Sequence, residues 1–128
     1  MVEPLLCFTV REIPGGQVIG FRGELDLSSS HAVAELVTGP AGSLVVLDLR
    51  ELTFVDSSGL GAIHLARRNM LAAEGTLVLA RPQPIVRRVL ELTGLDSWIA
   101  DWDPAWSRPP APTLPPDSVF NQTSSAAS

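Results

Sequence analysis

The chain has 128 residues, of which 45 % are apolar, so it is long enough for one domain with a hydrophobic core and lacks the composition of a disordered protein. Its formal net charge is −5, and all nine of its cationic residues are arginines. This acidic balance argues against sequence-independent binding to nucleic acid and against docking on anionic membranes, because both need a basic surface.

The single cysteine and the N-terminal residues indicate the cellular compartment of the protein. One thiol cannot form an internal disulfide, and apolar neighbours favour a packed strand residue over a reactive thiol at Cys7. Glu3 and Pro4 interrupt the N-terminus, and no apolar run approaches the ~18–20 residues that a bilayer span requires. We therefore expect a soluble cytoplasmic protein without a signal peptide.

The first predicted structure is a β-hairpin. Residues 5–10 form an apolar run rich in β-formers, residues 14–16 are Pro-Gly-Gly, and residues 18–22 resume the strand pattern. Two short runs joined by a Pro/Gly turn are typical of a hairpin.

A short helix follows the hairpin. Any of the serines at 28–30 can cap it, because a serine oxygen accepts hydrogen bonds from the first-turn amides. Val33, Leu36 and Val37 give this helix one apolar stripe, and the Gly-Pro pair at 39–40 ends it.

Residues 44–49 are almost continuously apolar, which predicts a central strand of a sheet. Residues 50–55 are more polar and are interpreted as a connector. A long helix then begins near Asp56, with Gly75 expected as its left-handed closing residue. Its apolar stripe consists of Leu60, Ile63 and Met70 with Arg67 at the margin and Ala66 and Leu71 adjoining.

A further strand is predicted at 76–80, and a last helix starts at Pro82 or Pro84 and stops at Gly94. The apolar positions of that helix are Ile85, Val86, Val89, Leu90 and Leu92. The order β-β-α-β-α-β-α predicts a single α/β domain, a mixed β-sheet with crossover helices, over residues 3–101.

Residues 103–128 are rich in proline and serine and lack periodic apolar residues, so we expect a disordered tail. Trp98, Trp102 and Trp106 lie near the boundary. They either cover the last helix or belong to a partner site.

Catalysis is not expected. The serines at 57 and 58 lack the first glycine of a nucleophile elbow, and His31 and His64 are too scattered to supply a base or a zinc site. There is no phosphate-binding loop, because the chain has no lysine. The sequence thus predicts a protein that is not an enzyme and holds no metal or cofactor.

The most informative segment is 56–61, Asp-Ser-Ser-Gly-Leu-Gly, at the predicted start of the long helix. Its plain interpretation is a capping segment whose glycines allow a turn and close packing. Its functional interpretation is a phosphoacceptor: the helix N-terminus tolerates a phosphate on a serine there, and the added charge beside Asp56 would change a partner surface.

The chain resembles the STAS-domain anti-sigma factor antagonists. Residues 23–26 (Gly-Glu-Leu-Asp) look like the segment after the family's second strand, and residues 47–61 look like its strand, connector and phosphorylation loop. Residues 86–90 with 93–95 look like its last helix and exit. These blocks occur in family order over about 95 residues.

The resemblance implies a switch. In this family the unphosphorylated domain binds an anti-sigma factor that is also a serine kinase, which releases the sigma factor in sporulation or stress pathways of bacteria. Phosphorylation of the serine matching Ser57 weakens binding, and a metal-dependent serine phosphatase reverses it. ATP and magnesium belong to the kinase. The positions implied in partner binding are Asp26, Asp56, Ser57, Ser58, Gly59, Leu60 and Gly61.

A second function stays open at this stage. A STAS protein can also serve as a constitutive scaffold or accessory subunit, in a transporter or in a stress-sensing complex. The retained Ser57 and the short length favour the switch.

Overall fold

A computed structural model of the protein describes residues 6–101. It confirms the α/β class and the order β-β-α-β-α-β-α, with one added 3-10 helix. Residues 3–5 of the predicted domain, the predicted tail at 103–128, Trp102 and Trp106 lie outside the described residues. The elements are β1 (Leu6–Ile13), β2 (Gly16–Leu25), α1 (Ser30–Leu36), β3 (Leu44–Val55), α2 (Ser57–Ala72), β4 (Thr76–Ala80), α3 (Pro84–Thr93) and the 3-10 helix (Leu95–Trp98).

The four strands form one mixed sheet in the order β1-β2-β3-β4. β1 and β2 pair antiparallel, whereas β2, β3 and β4 run parallel and are joined by helical crossovers. Ile13 pairs with Gly16, so Pro14 and Gly15 form the turn of the predicted hairpin. Gly15 has φ 81°, a left-handed conformation that glycine adopts without a steric penalty.

The prediction of a connector at 50–55 is wrong, because β3 continues to Val55. β4 pairs with β3 only as far as Asp48, so the second half of β3 has β2 as its one described neighbour. Leu52 and Val55 remain buried there, while Arg50, Glu51 and neighbouring residues are exposed. Pairing to β2 thus imposes strand structure on a segment whose polar residues resemble a loop.

Two apolar clusters occupy the two faces of the sheet, since alternate strand residues point to opposite faces. The larger cluster joins β2, β3 and β4 to all three helices. The central strand predicted at 44–49 is confirmed, with residues 44–47 and Leu49 buried. The smaller cluster consists of Val18, Leu44, Val46, Val78, Ala80 and Ala100.

The start of α1 differs from its prediction. Ser29 occupies the N-cap position, but its side chain makes no capping hydrogen bond. Its hydroxyl instead accepts from the amide of Asp26 (3.1 Å) and lies 3.2 Å from that residue's carboxylate Oδ1. A competing local bond thus takes the hydroxyl away from the helix amides.

The end of α2 also differs from its prediction. The left-handed residue is Glu74, with φ 64°, and not Gly75. The Gly75 amide donates to Met70 O and the Glu74 amide to Leu71 O, which is the Schellman pattern. Gly75 packs closely: a Cβ atom there would lie 2.7 Å from Met70 Cε, the flexible end of a side chain, and 3.2 Å from Ser43 O.

The last helix begins at Pro84 and ends at Gly94, as predicted, with Gly94 left-handed at φ 79°. Val86 and Leu90 are buried, but Ile85 and Leu92 are exposed although both fit the predicted apolar stripe. Helical period alone does not show how much of a stripe the neighbouring elements cover.

Trp98 is a core residue, only 5 % exposed. The Arg67 guanidinium carbon lies 4.3 Å from the centre of its ring, and the His64 ring stacks on it at 5.4 Å. Arg67 is itself 5 % exposed, so the residue predicted at the margin of the stripe of α2 is buried there. Cation–π contact with Trp98 helps to accommodate that buried charge.

Candidate functional site

The site lies where the parallel strands β2 and β3 end side by side. Leu25 pairs with Val55, and the Asp56 amide donates to Leu25 O at 3.2 Å. Asp26 and Asp56 therefore follow two paired residues, and the structure brings both predicted carboxylates to the same edge of the sheet. Functional groups of α/β domains commonly lie at the carboxyl ends of parallel strands.

Asp56 is the N-cap of α2. Its backbone is extended (φ −102°, ψ −174°), and Oδ1 accepts from the Gly59 amide at 2.9 Å. Ser57 is the first residue of the helix and is exposed, and Ser58 is half-buried. The Asp56 carboxylate therefore performs the capping that the plain interpretation of the segment predicts, and Ser57 is exposed to solvent.

Gly59 and Leu60 anchor the start of α2 against the sheet. A Cβ atom on Gly59 would lie 2.5 Å from Leu25 O and 2.9 Å from Val55 Cγ2, closer than real Cβ contacts. Leu60 is 9 % exposed and belongs to the larger core cluster. These two residues fix where Ser57 lies, through the position of the helix.

Gly61 has a different environment from Gly59. It is exposed, and a Cβ atom built on it would meet no atom within 4 Å. Its backbone is ordinary right-handed helix, since only Gly15, Gly23, Gly42 and Gly94 have positive φ among the described glycines.

Asp26 is the centre of a tight turn between β2 and α1. Its carboxylate Oδ1 accepts from the Ser28 hydroxyl at 2.7 Å and from the Ser28 amide at 3.0 Å. The Ser28 hydroxyl is the main cause that lowers the pKa of Asp26, with Ser29 adding to it and burial opposing it. A carboxylate held in this way stays ionised at neutral pH.

Ser28 and Ser29 are site residues whose role the sequence analysis missed. The serines at 28–30 are predicted from the sequence only as helix caps. The spacing of Asp26 and Ser28 is the signature of an Asx turn, in which a carboxylate accepts from the amide two residues on. The sequence therefore contains the signal for the hydrogen bond from the Ser28 amide to Asp26 Oδ1, which is 3.0 Å long in the structure.

The site lies apart from a cavity at the opposite end of the sheet. A cavity of about 450 Å³ opens at the other end of the sheet, where β2 and β3 begin, and is lined by residues such as Gly16, Thr38 and Ser43. No residue of 56–61 lines it. Ser57 is exposed at this edge, so a macromolecule can reach its hydroxyl.

Within residues 6–101, no group of three or more His, Cys, Asp or Glu side chains is arranged to hold a metal ion. In the same part of the chain, no helix combines the length and apolar character that crossing a membrane requires.

The STAS domain family model matches residues 8–110, most of the chain, and we conclude that the chain belongs to the STAS domain family. The resemblance found in the sequence is therefore confirmed. The chain is 32 % identical over 91 residues to an "Anti-sigma F factor antagonist" of Lysinibacillus sphaericus, covering 66 % of this chain and 75 % of that protein.

Solved structures show the same fold. The anti-sigma factor antagonist SpoIIAA in its unphosphorylated form has a TM-score of 0.65 at 24 % identity, over 93 % of this chain and 97 % of that chain. A sulfate transporter family protein from Wolinella succinogenes has a TM-score of 0.59 at 14 % identity, over 66 % and 72 % of the two chains. At these identities the likeness bears on the fold alone.

Proposed function

We propose that this protein is an anti-sigma factor antagonist that is switched by phosphorylation of Ser57. Its unphosphorylated form binds an anti-sigma factor that is also a serine kinase, and this binding releases a sigma factor. The relative from Lysinibacillus sphaericus, named as such an antagonist and 32 % identical, supports the class of partner.

The observation that carries the proposal is the position of Ser57. Asp56 already caps α2 through the Gly59 amide, so the Ser57 hydroxyl is not needed for that purpose. It is exposed at the first helical residue, next to Asp56 in the chain and at the edge of the sheet where Asp26 also lies. A kinase can therefore reach it without unfolding the domain.

The modification is an ordinary phosphoryl transfer. The Ser57 oxygen attacks the γ-phosphorus of ATP held by the kinase with magnesium, and an O–P bond forms. The bond from the γ-phosphorus to the bridging oxygen breaks, ADP leaves, and a base of the kinase takes the hydroxyl proton. This chain supplies only the acceptor and its position.

Phosphorylation acts through charge. A phosphate adds about −1.5 to −2 charges at neutral pH, next to Asp56 in the chain and at the sheet edge that also carries Asp26. The positive end of the α2 dipole tolerates that charge, so the fold is retained. A partner surface matched to the unmodified edge would then meet concentrated negative charge, which weakens binding.

A metal-dependent serine phosphatase completes the cycle. Water attacks the phosphorus, the bond to the Ser57 oxygen breaks, and inorganic phosphate leaves. The serine hydroxyl is regenerated, and the domain regains its affinity for the anti-sigma factor.

Intact-mass spectrometry tests the proposal. The full chain is incubated with ATP, magnesium and each purified candidate anti-sigma serine kinase of the same genome. Wild type should gain one phosphate, Ser57→Ala should gain none, and Ser58→Ala serves as the matched control that keeps the phosphate. Phosphate on Ser57→Ala would assign the acceptor to another residue.

The constitutive scaffold is the competing outcome. If none of the kinases modifies wild type, although each is active on its own substrate, the switch is refuted. Unchanged binding by Ser57→Asp would also contradict control by negative charge at this position.

A further inference from the structure

Gly61 has no structural reason to be glycine among the described residues. It is the fifth residue of α2, where glycine destabilises a helix relative to alanine. Its backbone is helical, its surface is exposed, and a Cβ atom there would meet nothing within 4 Å.

Gly59, two residues earlier, is a glycine that contacts within the domain do require. A Cβ atom on Gly59 would lie 2.5 Å from Leu25 O and 2.8 Å from Leu25 Cγ. Packing of α2 on β2 therefore requires glycine at 59 and does not require it at 61. The packing of residues 6–101 supplies no reason for glycine at 61.

The position of Gly61 relative to Ser57 suits a role outside the packing of the domain. Residues four apart lie on the same face of a helix, so Gly61 is one turn below the exposed Ser57. The Cα–Cβ bond of a helical residue tilts towards the helix N-terminus, so a side chain at 61 would lean towards Ser57. It would fill open space on the face of the helix that carries the Ser57 hydroxyl.

We propose that Gly61 is a positioning residue for phosphorylation: the empty space above it admits the kinase surface that holds Ser57 against ATP. This inference rests on the proposed function and deepens it. The kinase must present a close-fitting element to the first two turns of α2. A methyl group at 61 keeps that element away while leaving the domain itself intact.

Gly61→Ala tests this inference because its effects on folding and on function have opposite signs. The variant should unfold at a higher urea concentration than wild type. Its phosphorylation by the same purified kinase should slow by about tenfold or more, and its binding to that kinase should weaken in parallel, because one uncompensated clash has that effect. Gly61→Gln, with a longer side chain, should be phosphorylated still more slowly and should bind the kinase still more weakly.

Asn69→Ala is the matched control. Asn69 is exposed in the same helix, three turns from Ser57, and alanine stiffens the helix there without adding bulk near the hydroxyl. It should be phosphorylated at the wild-type rate. If Asn69→Ala slows the reaction as much as Gly61→Ala does, helix rigidity is responsible and the steric inference is wrong.

Wild-type phosphorylation and binding of Gly61→Ala would also overturn the inference. Failure of the proposed function is seen separately, in the wild-type reaction: without phosphate there, both proposals fall. With phosphate on wild type, the Gly61 variants alone decide the inference.

Discussion

Asp26 and Asp56 follow paired residues at the same edge of the sheet, yet their carboxylates have different partners. Asp56 accepts from the Gly59 amide and begins a helix of 16 residues. Asp26 accepts from Ser28 and Ser29 in a turn that precedes a helix of 7 residues. The serines that follow Asp26 hydrogen-bond to its carboxylate, whereas Ser57, which follows Asp56, is exposed to solvent.

Gly59→Ala should have the largest effect on this comparison. Its new methyl group would meet Leu25 O and Val55 Cγ2, and relief of that overlap would move α2 away from β2. Overpacking of this kind costs about 1–3 kcal/mol of the free energy of unfolding. Urea unfolding measures it, and Gly61→Ala is the control, expected to gain roughly 0.5–1 kcal/mol. Equal stabilities of the two variants would contradict the packing described for Gly59.

Asp56→Ala should have the next largest effect. It removes the side-chain acceptor of the Gly59 amide, and loss of an N-cap costs about 1 kcal/mol. Asp56→Asn keeps an acceptor oxygen and should recover most of that loss in the same unfolding experiment. If Asp56→Ala is as stable as wild type, the start of α2 depends on packing alone.

Replacing Asp26 should have a smaller effect on the free energy of unfolding, and that effect should depend on pH. Its pKa is lowered in the folded protein, mainly by the Ser28 hydroxyl, so folding favours the carboxylate. This contribution is present above the unfolded pKa of about 3.9 and is lost as the pH falls through the lower, folded value. Urea unfolding of wild type and Asp26→Asn should therefore differ more at pH 7 than well below pH 3.9.

Ser28→Ala is the companion variant for Asp26. Removing the hydroxyl should raise the pKa of Asp26 towards its usual value, which NMR titration of the carboxyl measures. An unchanged titration would show that the backbone amides, and not the hydroxyl, hold the charge.

Ser57→Ala should have the smallest effect on stability. Its side chain faces solvent and Asp56 provides the cap, so the free energy of unfolding should change by less than about 0.5 kcal/mol. Circular dichroism and urea unfolding check this, with Ser58→Ala compared beside it. A large loss would mean that the Ser57 hydroxyl supports the start of α2, and the contrast with Asp26 would disappear.

Local chemistry made the order of elements predictable. Pro14 and Gly15 form the expected hairpin turn, Gly94 ends α3 in a left-handed conformation, and Asp56 lies at the expected start of α2. Each of these signals needs only neighbours in the chain, because a turn or a cap is satisfied within a few residues.

Other errors lie where distant residues decide the structure. The second half of β3 is a strand because β2 pairs with it. Arg67 is buried because Trp98 from the end of the domain lies against its guanidinium. The residues next to these positions in the sequence do not predict such contacts.

The sequence by itself determined the family, the fold class, the hairpin and the segment 56–61, because periodicity, turn residues and motif spacing are properties of the chain. Only the tertiary structure decided how the residues of that segment differ. It buried Gly59 and Leu60 and left Ser57 and Gly61 exposed, because α2 presents one face to the sheet and the other to solvent.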